Sequence, residues 1–193
     1  MPWKKQFDVD ASLERAMQAF WEHGYEATSM QDLVETMGVN RGSLYATYGD
    51  KRALFLAALR NYDENVRRQP LARLEVELGP RQAIRKVFEI FAEPAMGGHS
   101  AHGCLLTNSA LELAAHDAEV REIVGRSQRR IEEFFARAIE KGKAEGEIGA
   151  HVDAGKAAAG LMATLLGLIV LTRSRPEAEL LKSIIDDAMG RLL

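Results

Sequence analysis

Apolar residues along this chain recur at helical spacing. In DVDASLERAMQAFWEHG, Leu13, Ala16, Met17 and Phe20 stand at i, i+3, i+4 and i+7, one face of a helix. Asp8 or Asp10 is placed to cap its start, and Gly24 to stop it. Ser29 opens a second, short helix with Asp32 three residues on, a capping-box-like arrangement whose apolar face is Leu33, Val34 and Met37. Gly38 ends it. Asn40 caps a third short helix from Arg41 to about Tyr48, and Gly49-Asp50 breaks it. Asp50 then caps a fourth, with Leu54, Phe55, Ala58, Leu59 and Tyr62 on one side, expected to run past Val66 and stop before Pro70.

Beyond Pro70 the pattern is looser. Leu71 to Leu78 is ambiguous, Gly79-Pro80 is a break, and Ile84, Val87, Phe88 and Phe91 mark a helix to Glu93. Pro94 to Gly103 reads as a loop. Helix is expected again from Cys104 to Ala115, from past Asp117 to about Glu145, from Asp153 to Ser174, and from Pro176 to the end. With no strand-like alternation, the chain reads as all-α, about nine helices.

Composition agrees. The 193 residues include 28 Ala and 22 Leu against 25 Val, Ile and Thr together, a bias toward residues that lose little on entering a helix. Apolar residues at 47% and charged residues at 27% suit a folded core. A single Cys rules out an internal disulfide and favours a reducing compartment. MPWKKQFDVD lacks an apolar signal core, so a cytoplasmic location is expected. The longest apolar run, Ala157 to Thr172, is 16 residues, short of the ~20 a bilayer needs, so no membrane partner is expected. Net charge is −3, and residues 1–60 hold seven Lys or Arg against eight Asp or Glu. Any nucleic-acid site must therefore be a local patch.

One such patch exists. SMQDLVETMGVNRGSLYATYGDK reads as helix, tight turn, helix: Gly38 tolerates the positive φ of the turn, and Val39 can tuck between the two helices. A helix-turn-helix sets the start of its second helix into the major groove. Arg41, Gly42 and Ser43 occupy that start, followed by Tyr45, Thr47 and Tyr48. Arg donates to guanine edges or phosphate, Gly42 allows close approach, and the hydroxyls donate to phosphate. Lys51, with Arg52 beside it, adds charge for the flanking strand, and Ser29 and Met30 sit where helix amides receive a phosphate. The same segments also fit a packing domain of a helical adaptor, in which Arg41 would have no task.

The run GYEATSMQDLVETMGVNRGSLYATYGDKRALF resembles the N-terminal domain of the TetR family of bacterial transcriptional regulators over residues 8–62. The Gly-Tyr-x-x-Thr-Ser entry, the Gly-Val-x-Arg-Gly-Ser-Leu-Tyr core and the Tyr-x-x-Lys exit fall in order, with Tyr48 where Phe is common. The resemblance implies a DNA-binding domain at 1–50 and a ligand-binding, dimerising helical domain at 51–193. It implies a homodimer on double-stranded operator DNA, released by a small-molecule inducer, with no cofactor. By position, Ser29, Met30, Arg41, Gly42, Ser43, Tyr45, Thr47, Tyr48 and Lys51 would face the DNA.

For the remainder, two stripes suggest a dimer seam: Leu161, Leu165, Leu168 and Thr172, and Ile184, Ile185, Ala188 and Leu192. Pocket candidates are Tyr62, Phe88, Phe91, Cys104, Asn108 and Phe134, with Met96, Leu105 and Leu111 near them. Cys104, opening a helix, reads either as a reactive thiol or as a buried packing residue. His99, His102 and Cys104 lack a fourth ligand, so no metal is expected. No phosphate loop, dinucleotide fingerprint, Gly-x-Ser-x-Gly or His-Glu-x-x-His appears, which argues against an enzyme.

Overall fold

The computed structural model describes residues 8–98 and 102–193. Among them lie ten α-helices and no strand: α1 (Val9–His23), α2 (Met30–Met37), α3 (Arg41–Tyr48), α4 (Lys51–Tyr62), α5 (Gln69–Glu77), α6 (Pro80–Met96), α7 (Leu105–Glu112), α8 (Ala118–Glu145), α9 (Ala154–Ser174) and α10 (Ala178–Gly190). A π-helical stretch, Asp63–Arg68, joins α4 to α5, so these form one rod and the described residues hold nine helical rods.

That rod corrects the expected stop before Pro70. Pro70 lies at the start of α5, where a missing N–H costs little. The ambiguous stretch after it is helical. Pro94 likewise does not break its helix: α6 carries it in the last turn and runs on to Met96. α7 is shorter than its pattern suggested, beginning after Cys104 and ending at Glu112.

The caps explain the short helices at the front. Asp8 accepts from the Asp10 and Ala11 amides at 3.0 and 3.1 Å. Ser29 and Asp32 form a reciprocal capping box, Asn40 accepts from the Ser43 amide at 2.8 Å, and Asp50 from the Ala53 amide at 2.7 Å. Each satisfies an otherwise orphan donor, an effect of ~1 kcal/mol per cap. α1 packs on α2 and α4, and Phe20, Leu33, Met37, Leu44, Leu54 and Phe55 close a small core beneath α3.

Behind it, α8 and α9 pack along one another with α6 across both. α9 is 21 residues, long and apolar enough by composition to cross a bilayer. It nevertheless buries Leu161, Leu165, Leu168 and Thr172 inside the protomer. With Ile185, Ala188 and Leu192 also buried, Ile184 alone of the eight expected seam residues is partly open in the protomer. The outward face of α9 carries Gly160, Ala163, Gly167 and Val170 instead.

Candidate DNA-reading surface and its coupling to the core

The turn between α2 and α3 is built as its residues dictate. Gly38 takes φ 66°, ψ 34°, the left-handed conformation, and its N–H donates to the Val34 carbonyl at 3.1 Å. Val39 is buried as a peg, and Leu44 is fully buried, which orients α3 with its opposite face outward. On that face Arg41, Gly42 and Tyr45 are exposed, while Ser43 and Thr47 are half-exposed. The Arg41 guanidinium lies 5.9 Å from the Tyr45 ring centroid, a loose cation–π contact that keeps both side chains on one side of the helix. A Cβ on Gly42 would meet only the Asn40 side chain, at 3.4 Å, so its backbone is open to a close neighbour.

The other candidates are more constrained. Met30 is partly buried against the core, and the Ser29 hydroxyl is occupied by the Asp32 amide at 3.1 Å. The Tyr48 hydroxyl donates to the Val9 carbonyl at 3.3 Å, which fixes α3 to the start of α1. Lys51 places its ammonium 4.3 Å from the Tyr25 ring centroid. Arg52 does not join the surface. It grips Asp117 through Nε at 2.7 Å and Nη2 at 2.9 Å, and reaches Glu119 at 3.2 Å.

That grip is one of two links sequence spacing did not reveal. In the other, both Glu112 carboxylate oxygens accept backbone N–H groups of the α1–α2 turn, Tyr25 at 3.2 Å and Glu26 at 2.8 Å. The partners are 65 to 87 residues apart in the chain, and although Asp117 caps α8, nothing local marks either carboxylate for its distant partner. Together they tie the end of α7 and the start of α8 to the reading head. The Arg52 guanidinium, aided by the Val120 and Glu119 amides, holds the Asp117 carboxyl down at about 2. A depressed carboxyl contributes stability above its unfolded value of ~3.9 and loses it as pH falls toward the folded value. Carbon-detected NMR of Asp117 is therefore expected to give a midpoint near 2 and, in Arg52→Met, one closer to the ordinary range. An ordinary midpoint in the wild type would mean the clamp is open in solution.

The pocket candidates divide. Tyr62 and Phe91 line a cavity of about 150 Å³ together with Trp21, Arg67 and His102. Phe88 and Phe134 do not line it; they pack with Phe135 in the core at centroid distances of 5.9 and 5.8 Å. Asn108 is committed elsewhere, donating to the His102 carbonyl at 3.0 Å and accepting from Arg173 at 3.1 Å. Leu111 is exposed, and Leu105 is buried. Burial pushes the Cys104 thiol up, but the neighbouring Arg67 charge and the Thr107 amide and hydroxyl outweigh it, leaving the thiol below its ordinary range. His99 lies outside the described residues, and among those described no group of three potential ligands is disposed for a metal ion.

Sequence reasoning missed Arg67, which sits in a charged run, DENVRR, that resembles a solvated face. The only signal was its spacing of five from Tyr62, which a π-helical i→i+5 turn brings onto one side.

Two family models match this chain: that for bacterial regulatory proteins of the tetR family over residues 13–58, and that for the tetracyclin repressor-like C-terminal domain over residues 80–186. It is 33% identical over 189 residues to the HTH-type transcriptional regulator YezE of Bacillus subtilis, covering 97% of each chain. It is 30% identical over 181 residues to the HTH-type transcriptional repressor ComR of Escherichia coli, covering 93% of this chain and 86% of that one. Among solved structures it superposes, with a TM-score of 0.84 and 27% identity over the whole of both chains, on a cysteine mutant of the TetR family regulator CifR in complex with 26-bp double-strand operator DNA. The helix-turn-helix with its exposed Arg41 face, backed by an all-helical core, is thus the reading head of a DNA-binding transcriptional regulator, a non-enzymatic protein, and the chain belongs to the TetR family.

Proposed function

We propose that this regulator is a cytoplasmic repressor that binds its operator as a homodimer and releases it when a small molecule enters the C-terminal core. The observation that carries the reading is the outward face of α3, where Arg41 and Tyr45 stand exposed above a fully buried Leu44. On DNA, Arg41 and Tyr45 read base edges or phosphate. Gly42 admits the backbone, and Ser43, Thr47, Lys51 and the start of α2 at Ser29 and Met30 hold the flanking phosphates, while Tyr48, its hydroxyl proton given to Val9, holds α3 in place for them. The division is a reading unit, 1–50, and a ligand and dimer unit, 51–193, with α4 as the strut packed against both.

Two reading heads must sit about one duplex turn apart, ~34–36 Å, for both to enter the major groove. The dimer that sets this spacing forms through the small-residue face of α9 with α10 beside it. Release follows if ligand favours a state in which Glu112 at the end of α7 and Asp117 at the start of α8 carry Tyr25 and Arg52 with them, changing that spacing. Such a switch requires that ligand and operator weaken each other reciprocally.

A footprint on DNA upstream of the chain's own gene tests the reading, with Arg41→Ala as the variant. The expected loss is ~1–3 kcal/mol, confined to the cognate site if a base contact is removed and uniform over all sequences if the contact is to phosphate. Unchanged binding by Arg41→Ala would remove α3 from the interface.

A further inference from the structure

We infer that the cavity at the π-helical stretch is a site for a small monocarboxylate with an apolar body, its carboxylate held by Arg67 and Trp21. This deepens the reading of the protein as a ligand-released regulator and rests on it. Arg67 is 6% exposed, a buried cation with no carboxylate partner among the described residues. Its Nη2 donates to the neutral Tyr62 hydroxyl at 2.7 Å, and its guanidinium lies 3.9 Å from the Phe91 ring centroid and 5.1 Å from that of Tyr62. Its Nε–H is buried with no acceptor.

The other such group is in the same place. Among the described residues the two buried side-chain polar atoms left without a partner are Arg67 Nε and Trp21 Nε1, and both residues line the 150 Å³ cavity. Both are donors, from different helices, and a buried donor without an acceptor is costly enough that native proteins rarely keep one. Two such donors from residues lining one cavity match a ligand that brings acceptor oxygens. The ionisable groups beside Arg67 are Cys104 and Tyr62, and no Asp or Glu lines this cavity or the next, so the guanidinium favours an anion. That next cavity, about 300 Å³, shares Val66, Arg67, Ile90 and Phe91 with the first and adds Pro70, Leu71 and Leu74, an apolar space for the rest of the molecule. Trp21 belongs to α1, so the ligand touches the reading head directly, and Gly103 and His102 at the cavity edge lead into α7 and thence to Glu112.

The test uses the full chain with Trp3→Phe, so that Trp21 fluorescence reports occupancy, and four probes: benzoate, hexanoate, benzamide and hexanamide. Saturable quenching by at least one carboxylate, at least about tenfold tighter than by its amide, is expected. Arg67→Met is expected to erase that discrimination. Equal binding of acid and amide, or no saturation by either carboxylate to ~10 mM, overturns the assignment. Should Arg67→Met not fold, the comparison of acid with amide on the wild-type cavity decides alone. Operator binding is measured in parallel by anisotropy. Its loss in the unsubstituted protein would sink the regulator reading, whereas intact operator binding with no acid preference would sink only this site.

Discussion

Gly167→Arg is expected to give a folded monomer that no longer holds its operator. Gly160 and Gly167 lie in the interior of α9, where each is ~1 kcal/mol less favourable than Ala. Neither is required by its own protomer, because a Cβ at either position would meet no atom within 4 Å. Their absent side chains, with Ala163 between them, suit the close approach of a second backbone, as at the seam of a helical bundle. An arginine there costs the isolated protomer nothing and would be buried unpaired against its two-fold mate, a penalty of roughly several kcal/mol per ion. A lone reading head retains about half the binding free energy of a two-headed clamp. From a specific affinity of ~10⁻⁸ M or tighter, the loss is then at least ~10³-fold. Sedimentation and operator anisotropy on the same sample check it, with Gly167→Ala as the control expected to remain dimeric. A Gly167→Arg protein that stays dimeric would move the seam off this face.

The seam expected from sequence turns on the same physics. Leu161, Leu165 and Leu168 announce burial, and they are buried, but hydropathy does not say against what. In a helix apolar nearly all round, the bulky stripe fills the protomer's own core and the stripe of Gly and Ala faces outward, where the proposed seam would form. Local chemistry was far more legible. Asp8, Ser29, Asn40 and Asp50 each sit at the helix start their side chains demanded, and Gly38 takes the left-handed turn its lack of Cβ permits. These signals act within four residues, so a linear sequence contains them whole. Glu112 on Tyr25 and Asp117 on Arg52 act across the fold, and nothing near either carboxylate in the chain records the partner. Arg67 was hidden differently. A charged side chain in a charged run reads as solvated until a change of helical period turns it inward.

Phe55→Ala is expected to cost ~3–5 kcal/mol of stability, out of a total that is typically only ~5–15. Phe55 is 1% exposed and sits under the junction of the two units. It meets Phe20 edge-to-face at 5.1 Å and Tyr25 at 4.8 Å, contacts worth ~0.5–1.5 kcal/mol each beyond the area they bury. Tyr25 in turn takes the Lys51 ammonium on its face and gives its N–H to Glu112. Removing one ring therefore loosens the support of Lys51, which is proposed to face the DNA, and of the strap from α7 together, so operator affinity and ligand response should both weaken as the head begins to open. Urea denaturation measures the stability. Native-state hydrogen exchange locates the opening, which should appear first at the amides of α2 and α3. A loss below ~1 kcal/mol would show that the head is held to the core by its ion pairs rather than by this aromatic cluster. That outcome is disfavoured because the Arg52 and Arg60 pairs with Asp117 and Glu119 are largely solvent-facing, and exposed pairs contribute only ~0–1 kcal/mol and weaken further with salt.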